Sequence, residues 1–354
     1  MNNGKIVVGL SGGVDSSVAA YLLKKEGYDV AGVTMVHFQE GDEPSRQAAE
    51  DAARVAKYLG IPHYIVDCCT EFKAEIMDYF VDEYLRGRTP NPCVVCNRKM
   101  KWRVLMETGA RLGASLIATG HYARIIRLAN GRLAVQNSVS AAKDQTYALY
   151  GLSQEQLNAT KMPLGEYTKE EIRAIAGKEG IPVAEKPDSM EICFVPDKDY
   201  AKFIENYAGY VPEKGNYISA SGKILGQHQG IIHYTIGQRK GLNLAMGHPV
   251  FVSEIRPDTN EVVIGENEDI FARSLVCDQI NAMAISEFCS GMEVMAKIRY
   301  NHKGAAAVVK VMGKDELRVD FQEPQRAITP GQAVVFYRDG MVAGGGIIRG
   351  ALKE

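Results

Sequence analysis

Apolar runs of strand length alternate with segments of helical period through residues 5–120. The runs predict strands over Lys5–Leu10, Val30–His37, His63–Asp67 and Ser115–Thr119. The segments between and after them predict helices over Ser16–Glu26, Ser45–Leu59, Glu71–Arg86 and Asn97–Leu112. Strands that alternate with helices pair in parallel. This order therefore predicts an α/β domain on a doubly wound parallel sheet, with ligand groups at the carboxyl ends of its strands.

Near residue 210 the pattern changes to short strands separated by glycine-rich turns. Stretches at Tyr217–Ala220 and Ile231–Ile236, and a hairpin of Val250–Ile255 with Glu261–Ile264, predict a small central β-rich domain. From Leu275 onward nearly all apolar runs are short, which predicts a C-terminal antiparallel β-barrel. The predicted domains are residues 1–208, 209–272 and 273–354.

Composition limits the class of protein. The chain has 354 residues, of which 46% are hydrophobic, and its net charge of −2 provides no overall field that would attract nucleic acid. No apolar run approaches the roughly 20 residues of a membrane span, and Met1–Lys5 lacks the apolar core of a signal peptide. We expect a cytoplasmic protein with no membrane partner. Its seven cysteines are then core residues, metal ligands or catalytic thiols rather than structural disulfides.

The segment Ser11–Ser17, SGGVDSS, lies between the first predicted strand and the first predicted helix. A glycine pair there lets the backbone turn tightly and direct several N–H groups at one anion. The segment lacks the lysine with which a Walker loop holds β- and γ-phosphates. An ordinary strand–helix turn is the alternative. The complete Ser-Gly-Gly-x-Asp-Ser signature resembles the PP-loop (N-type) ATP pyrophosphatases, which implies that ATP is split into AMP and pyrophosphate.

The second concentration of chemistry is Arg86–Arg103, with six basic residues, no acidic residue, a Cys-x-x-Cys and the only tryptophan. Such a segment can hold phosphates and stack a base, and a solvated loop with a basic helix face is the alternative. Cys93 and Cys96 alone are ambiguous among half a zinc site, an iron–sulfur ligand pair and a redox pair. Cys193 is a candidate third thiol. We assign the other cysteines to packing: Cys68, Cys69, Cys277 and Cys289.

Motifs in all three predicted domains together resemble the MnmA family of tRNA-specific 2-thiouridylases. They are Thr89–Pro92 with Cys96–Asn97, Ala118–Tyr122, Lys143–Gln145, Asp188–Ser189 with Ile192–Phe194, Gly226–Gly230, Thr235–Leu242 and Thr329–Gln332. The motifs run in order through nearly the whole chain, so the combination is far more specific than the phosphate loop alone.

The resemblance implies that ATP adenylates the C2 oxygen of the wobble uridine in a tRNA anticodon, and that a persulfide on Cys193 delivers sulfur to C2. It also implies that Cys96 is the nucleophile that completes release and forms a disulfide with Cys193. Both positions need a thiolate, and we expect Arg98 and Lys99 to lower the pKa of Cys96. The implied cofactors are ATP and Mg²⁺. The implied partners are tRNA with a wobble uridine and, as sulfur donor, a cysteine desulfurase or a sulfur-relay protein.

The same resemblance assigns individual residues to three roles. The catalytic residues are Cys96, Cys193 and Asp15. The ATP contacts are Gly9, Leu10, Ser11, Gly12, Gly13, Val14, Asp15, Ser16, Met35 and Gly120. The tRNA contacts are Asn91, Pro92, Cys93, Lys99, His121, Lys143, Asp144, Gln145, Tyr300, Asn301 and Gln332.

Cys93 departs from the family, because many members carry aspartate at this position. Cys93, Cys96 and Cys193 could ligate a [4Fe–4S] cluster with one iron open for sulfide, while persulfide chemistry is our main hypothesis. A PP-loop enzyme that forms an amide from ammonia is a further alternative, but it leaves the three thiols without a role. A non-catalytic RNA-binding or sulfur-carrier protein is another, and it predicts a damaged phosphate loop.

Overall fold

The computed structural model describes residues 3–37, 43–188, 192–195 and 197–352. The predicted motif residue Ser189 lies outside these ranges. The β-strands are β1 Lys5–Gly9, β2 Asp29–Val36, β3 His63–Asp67, β4 Leu116–Ala118, β5 Ala123–Arg127, β6 Leu133–Asn137, β7 Thr160–Lys161, β8 Gly215–Ser219, β9 Ile224–His228, β10 Phe251–Arg256, β11 Glu261–Gly265, β12 Phe271–Ala282, β13 Met292–Lys297, β14 Ala305–Gly313, β15 Glu316–Arg326, β16 Ala333–Arg338 and β17 Met341–Leu352. The α-helices are α1 Val14–Lys25, α2 Glu43–Leu59, α3 Cys69–Phe72, α4 Asp78–Leu85, α5 Pro92–Cys96, α6 Trp102–Arg111, α7 Gln154–Asn158, α8 Lys169–Lys178 and α9 Tyr200–Ala208. Within the described ranges, no helix has the length and apolar character needed to cross a membrane.

The first sheet is parallel, with strand order β3-β2-β1-β4-β7. Alternate residues of β1 face opposite sides, as the pleat requires. Ile6 and Val8 belong to the buried cluster that includes α1 and α2, whereas Val7 belongs to the cluster that includes Leu105 of α6. The predicted doubly wound sheet is confirmed. The strand order reverses between β1 and β4, and ligands bind at such a point of an α/β sheet.

Two predicted helices contain π-helical turns. Lys73–Met77 lies within the segment predicted as Glu71–Arg86, and Asn97–Lys101 joins α5 to α6 in the segment predicted from Asn97 to Leu112. A single turn with hydrogen bonds between residues i and i+5 barely disturbs a hydrophobic period near 3.6, so the sequence pattern cannot reveal it. The second turn follows Cys96 directly and therefore changes which side chains share the face of that thiol.

The central sheet has the order β10-β11-β8-β9. The predicted hairpin is confirmed as the antiparallel pair β10 and β11. The predicted strand at Ile231–Ile236 is wrong, because Ile231–His233 forms a 3₁₀-helix. Ile231 and Ile232 are both buried, and a strand would place these neighbours on opposite faces.

The C-terminal strands β12 to β17 form a closed antiparallel barrel, because β12 pairs with both β15 and β17. This confirms the predicted barrel. Its core includes the fully buried Val309, Val319 and Phe336. The hairpin of β5 and β6, which the sequence analysis did not predict, pairs with β17 and so joins the barrel sheet to the α/β part of the chain.

Candidate active site

The loop between β1 and α1 is held in shape by its own hydroxyl groups. The Ser16 Oγ accepts a hydrogen bond from the Ser11 N–H at 3.1 Å, and the Ser17 Oγ donates one to the Gly13 carbonyl at 2.7 Å. Gly12 has a φ of +69°, and a Cβ there would lie 2.3 Å from the Ala48 carbonyl oxygen. Only glycine fits this position. The loop thus presents the first N–H groups of α1 in a fixed turn, an arrangement suited to an anion.

Three predicted ATP contacts form the floor of this loop. Leu10 and Val14 are buried, and the Leu10 N–H donates to the Val33 carbonyl at 2.8 Å. A Cβ at Gly9 would lie 3.3 Å from a methyl carbon of Leu105. Gly9, Leu10 and Val14 therefore shape the loop through their backbone and packing. The side chains of Leu10 and Val14 are buried in the core.

A chain of charged side chains connects the phosphate loop to the segment that precedes Cys193. The Lys169 Nζ lies 2.7 Å from Asp15 Oδ1 and 2.7 Å from Asp188 Oδ1. The Lys143 Nζ lies 2.8 Å from Asp188 Oδ2. Burial raises the pKa of Asp188, but the hydrogen bonds from Lys143 and Lys169 outweigh it and lower the pKa to about 2. Asp15, predicted to be catalytic, is therefore already paired with a cation.

A second lysine holds the other end of the loop. The Lys186 Nζ donates to the Gly12 carbonyl at 3.0 Å and to Asp51 Oδ2 at 2.6 Å. Sequence analysis missed both Lys169 and Lys186. Thr168 and Glu171 form a capping box that begins α8 at Lys169. The S/T-x-x-E signature of this capping box is visible in the sequence, but it does not indicate which carboxylates Lys169 contacts.

Replacing Lys169 by methionine is expected to destabilise the fold by about 3 kcal/mol, because two carboxylates would remain beside each other without their shared cation. Asp15 and Asp188 are partly exposed, so we expect the lower end of the cost of breaking a buried pair. Urea unfolding measures the effect. Lys178→Met, at an exposed position of the same helix, is the control and should change stability by no more than about 0.5 kcal/mol. Equal midpoints for the two variants would contradict the role of Lys169.

The carboxyl ends of β1, β2 and β4 meet at one edge of the sheet, because these strands are parallel. Gly120 follows β4, and a Cβ there would lie 2.7 Å from the Ser16 backbone nitrogen. Met35, near the end of β2, packs against the buried cluster beneath the sheet and against the cluster that also contacts Cys96. The structure thus brings the loop and Gly120 into direct proximity and places Met35 beside the cysteine region.

Three thiols come together beside this edge, although Cys193 is distant from the other two in sequence. Cys93 and Cys96 lie three residues apart on α5. Phe194 is buried in the same hydrophobic cluster against which Cys96 and Ile192 pack. Negative charge on Cys93 or Cys96 would also raise the pKa of Cys193, in agreement with this packing. The fold therefore assembles the predicted third thiol with the Cys-x-x-Cys pair.

Two of the three thiols are open to solvent. Cys93 and Cys193 are exposed and Cys96 is partly buried. The surrounding protein nevertheless raises the pKa of all three thiols, that of Cys193 to about 12, while the charge of Lys101 lowers each pKa to a smaller extent. The thiols are reached by solvent, yet their pKa is raised by desolvation, so other protein groups surround them closely. Formation of a thiolate at these cysteines therefore requires a nearby cation, or a change that accompanies the reaction, to lower the pKa.

The prediction that Arg98 and Lys99 lower the pKa of Cys96 is wrong, because burial raises that pKa and Lys101 supplies the main opposing charge. Arg98 donates to the Gln279 carbonyl at 3.4 Å, and the Lys99 Nζ lies 5.8 Å from the centre of the Tyr79 ring. The π-helical turn explains the difference. It brings Lys101, five residues after Cys96, back to the face of that thiol.

Because its pKa is raised to about 12, the Cys193 thiol is expected to be protonated at neutral pH. Its alkylation by iodoacetamide should therefore accelerate roughly tenfold per pH unit between about pH 8 and pH 11. Mass spectrometry of the peptide that contains Cys193 measures the rate, with the exposed Cys289 in the same digest as internal reference. A rate that stops rising below about pH 9 would contradict the raised pKa.

His121 follows Gly120 at the end of β4 and contacts Thr119 and Trp102. Its Nδ1 is 2.8 Å from the Thr119 Oγ1, and its ring centre is 5.6 Å from that of Trp102. Burial, and then the charge of Lys101, lower the pKa of His121 to about 3. The imidazole is therefore neutral at physiological pH. It can position a base or exchange a hydrogen bond, but it does not attract phosphate as a cation.

The basic segment is anchored by the other two β-rich parts of the chain. The Thr89 N–H donates to the Pro330 carbonyl at 2.8 Å, and the Gln332 Nε2 donates to the Thr89 carbonyl at 2.8 Å. The Thr89 and Thr235 hydroxyl oxygens lie 3.1 Å apart. Gln332, predicted to contact tRNA, thus uses its amide nitrogen to position this loop.

The residues that begin α5 are also engaged within the protein. The Asn91 side chain accepts the Val94 N–H at 3.3 Å, which caps the helix, and Pro92 occupies a first-turn position and is buried. Both residues fix the direction of the helix that carries Cys93 and Cys96. Asn91 and Pro92 are therefore engaged within the protein. A tRNA contact at this point would involve those of their atoms that remain on the surface.

The predicted contacts near Lys143 divide into internal and accessible groups. Asp144 Oδ2 accepts the Ser138 N–H at 2.9 Å, and Gln145 Oε1 accepts the Tyr122 N–H at 2.9 Å. The Tyr300 hydroxyl donates to the Asp144 carbonyl at 3.1 Å, which joins the barrel to this turn. The predicted tRNA contacts whose residues are exposed are Cys93, Lys99, Tyr300 and Asn301.

The remaining cysteines behave differently from one another. Cys68 and Cys277 are buried, as predicted for packing residues, and Cys69 is partly buried. The packing assignment is wrong for Cys289, which is exposed in the barrel. Its neighbour Phe288 fills the core position instead, with its ring 5.2 Å from that of Phe336.

The arrangement of donor groups bears on the iron–sulfur alternative. Among residues 3–37, 43–188, 192–195 and 197–352, no three His, Cys, Asp or Glu side chains are arranged to hold a metal ion, and this includes Cys93, Cys96 and Cys193. The three thiols as placed therefore do not fit a metal cluster.

Comparison with known proteins covers almost the whole chain. Residues 4–197 match a family model described as tRNA methyl transferase HUP domain. Residues 201–266 match a tRNA methyl transferase PRC-barrel domain, and residues 272–348 match an aminomethyltransferase beta-barrel domain.

Full-length relatives carry a more specific name. The tRNA-specific 2-thiouridylase MnmA of Lachnoclostridium phytofermentans is 59% identical, over 97% of this chain and 99% of that protein. The proteins of the same name from Clostridium perfringens and Carboxydothermus hydrogenoformans are 51% and 50% identical, over 99% and 97% of this chain and 100% and 97% of those proteins. The chain therefore belongs to the MnmA family of tRNA-specific 2-thiouridylases.

Proposed function

We propose that this protein is an ATP-dependent tRNA-uridine 2-sulfurtransferase, which converts the wobble uridine of tRNA to 2-thiouridine with release of AMP and pyrophosphate. One observation carries the proposal: a phosphate loop without a Walker lysine and a cluster of three thiols lie at the same edge of one sheet. An activation site and a sulfur site so close together suit a reaction in which one carbon atom is first adenylated and then thiolated.

The first half-reaction is assigned to the phosphate loop. The uridine C2 oxygen attacks the α-phosphorus of ATP, pyrophosphate leaves, and the uridine N3 loses its proton. The proposed ATP contacts are Gly9 to Ser16, Met35 and Gly120, with the N–H groups at the start of α1 facing the phosphates. Adenylation turns a poor leaving oxygen into AMP.

Asp15 supports this half-reaction through Lys169 and is not assigned as a metal ligand, because its carboxylate is already paired. Mg²⁺ would accompany the nucleotide, bound mainly through its phosphates and water. What Mg²⁺ supplies there is neutralisation of phosphate charge.

The second half-reaction is assigned to Cys193 and Cys96. The terminal sulfur of a Cys193 persulfide attacks C2, and AMP leaves. The Cys96 thiolate then attacks the Cys193 Sγ and breaks the sulfur–sulfur bond to the substrate. C2 keeps the sulfur, N3 regains a proton, and a Cys96–Cys193 disulfide remains. The donor of the persulfide sulfur is a cysteine desulfurase or a sulfur-relay protein.

The tRNA is proposed to lie across the thiol cluster, the basic segment and the barrel. In this assignment the exposed Lys99, Tyr300 and Asn301 meet the RNA directly, Lys143 meets it from its ion pair with Asp188, and His121 meets it as a neutral imidazole. Residues that are engaged within the protein shape the surface: the hydrogen-bonded Asn91, Asp144, Gln145 and Gln332, and the buried Pro92. Of the three proposed domains, we assign residues 1–208 to the chemistry, residues 209–272 to the connection between the other two, and residues 273–354 to tRNA binding. A cytoplasmic location, where ATP, tRNA and reduced thiols occur together, completes the proposal.

The test is an assay with ATP, a persulfide donor and unmodified tRNA that carries a wobble uridine. Mass spectrometry of the digested tRNA is expected to show 2-thiouridine, and nucleotide analysis is expected to show AMP and not ADP. No gain of sulfur would overturn the proposal. Running the assay with protein purified without oxygen, together with iron and sulfide analysis, tests the sulfur carrier. Near-stoichiometric iron that is required for activity would replace the persulfide assignment by the cluster alternative.

A further inference from the structure

We propose that Cys93 is the resolving thiol of the reaction cycle: it attacks the Cys96–Cys193 disulfide that each turnover leaves and returns Cys193 to its free form. This inference rests on the proposed function, which generates that disulfide, and it adds a step that follows sulfur transfer. It gives a role to the thiol of the cluster that the transfer chemistry does not use.

Helix geometry allows Cys93 and Cys96 to be joined. Both lie on α5, three residues apart. The rise and radius of an α-helix place such Cα atoms about 5 Å apart, within the range of about 4.4–6.8 Å that a disulfide spans. α5 is only five residues long, and a π-helical turn follows it directly. The adjustment of side chains that a disulfide needs therefore falls on a short helical turn, not on a long regular helix.

Packing places the disulfide to be resolved within reach of Cys93. Ile192 and Phe194, on either side of Cys193, belong to the cluster against which Cys96 packs. Cys93 and Cys96 both act electrostatically on the Cys193 thiol. The packing of Ile192, Phe194 and Cys96 in one cluster, with Cys93 one helical turn from Cys96, places the three cysteines in one region of the fold.

Exposure distinguishes the roles of the two cysteines on α5. Cys93 is exposed, whereas Cys96 is partly buried. An external dithiol therefore meets a Cys93–Cys96 disulfide at its exposed sulfur more readily than it meets the sulfur of Cys96. Cys193 is exposed as well, so the exchange keeps one exposed sulfur in the disulfide for an external dithiol and frees Cys193 before that dithiol reacts.

The exchange conserves atoms and electrons within the protein. The Cys93 thiolate attacks the Cys96 Sγ, the Cys93–Cys96 bond forms and the Cys96–Cys193 bond breaks. Cys193 leaves as a thiolate and takes up a proton equivalent to the one that Cys93 lost. A dithiol reductant then reduces Cys93–Cys96 and is itself oxidised to a disulfide. Cys193 is meanwhile free to receive the next sulfur.

The test uses the full-length enzyme loaded with persulfide, then given ATP and tRNA for one turnover without reductant. Free thiols are blocked with N-ethylmaleimide, and tryptic peptides are mapped without reduction. Cys93 and Cys96 share the peptide Thr89–Arg98, whereas Cys193 lies in Glu179–Lys198. We expect the main product to be an internal disulfide in Thr89–Arg98 with a blocked Cys193. Cys93→Ser should instead give the two peptides cross-linked through Cys96 and Cys193.

A kinetic measurement gives an independent readout. At sub-millimolar dithiothreitol, Cys93→Ser should lower the ratio of steady-state rate to first-turnover rate roughly tenfold, because an internal thiol acts at a millimolar effective concentration. Cys289→Ser, at an exposed cysteine outside the cluster, is the matched control and should keep the wild-type ratio.

Each result has a defined meaning. A wild-type enzyme that keeps the Cys96–Cys193 cross-link, or a Cys93→Ser enzyme whose rate ratio equals that of Cys289→Ser, would overturn the role of Cys93 and leave the proposed function intact. The absence of 2-thiouridine in the first turnover of the wild type would overturn the proposed function itself.

Discussion

Replacing Cys193 by serine is expected to lower 2-thiouridine formation by at least about 10³-fold, the scale of loss seen when a nucleophile is removed. Serine cannot carry a persulfide, and the neighbouring thiols Cys93 and Cys96 lie on another element. The activation half-reaction does not use Cys193. Pyrophosphate release in the presence of tRNA should therefore persist in the variant, and mass spectrometry of tRNA with a pyrophosphate assay separates the two half-reactions. Thiolation at even a tenth of the wild-type rate would remove Cys193 from its assigned role.

Cys96→Ser is the informative partner variant, because it should stop the reaction one step later. The sulfur would already be bonded to C2, and no thiolate would be present to break its bond to Cys193. We expect a covalent complex of tRNA and protein on a non-reducing gel, which dithiothreitol releases as thiolated tRNA. Cys289→Ser controls for the loss of a cysteine as such. An accumulated adduct in Cys193→Ser rather than in Cys96→Ser would exchange the two roles.

Replacing Gly120 by alanine is expected to reduce ATP-dependent activity by on the order of 10²-fold, because a displacement near 1 Å in a site can cost that much. An added Cβ would lie 2.7 Å from the Ser16 nitrogen and 2.8 Å from the Asp15 carbonyl carbon. Backbone atoms cannot move aside as a side chain can, so the start of α1 must shift. Titration calorimetry with a non-hydrolysable ATP analogue measures binding, and the thiolation assay measures the rate.

Gly177→Ala is the matched control for this substitution. Gly177 lies in α8, and an added Cβ there meets nothing within 4 Å. Alanine in an exposed helix interior should stabilise the protein by about 0.5–1 kcal/mol and leave ATP affinity unchanged. If Gly120→Ala bound the analogue as tightly as Gly177→Ala does, the close contact between β4 and the phosphate loop would have no functional meaning.

The elements that sequence analysis predicted well are those with a strong period and clear ends. β1 was predicted from an apolar run, α1 from the glycine pair and the helical spacing of Val18, Leu22 and Leu23, and the hairpin of β10 and β11 from two apolar runs around a turn. The π-helical turns within the helices were missed, because one turn with hydrogen bonds between residues i and i+5, such as that at Asn97–Lys101, hardly changes the hydrophobic pattern. The hairpin of β5 and β6 was also missed, although Asn130-Gly131 between two apolar runs is a local signal for such a hairpin.

The candidate site shows the same division. Motif position predicted the phosphate loop and Cys96, and the structure packs the neighbours of Cys193, Ile192 and Phe194, in the cluster that Cys96 contacts. The cations that act there were not predictable, because Lys169 and Lys186 reach the loop from distant segments through tertiary packing. The sign of the pKa shift at Cys96 was also mispredicted. Adjacent basic residues in sequence suggested a lower pKa, whereas burial and side-chain direction determine it in the fold.

In the proposed reaction, ATP activates the C2 oxygen of the wobble uridine for attack by sulfur at the thiol cluster. The most direct test uses an anticodon stem–loop whose wobble uridine carries ¹⁸O at C2, with unlabelled ATP and water. Mass spectrometry is expected to find the heavy oxygen in AMP, in an amount equal to the 2-thiouridine formed. Formation of 2-thiouridine with AMP that contains no heavy oxygen would contradict the account.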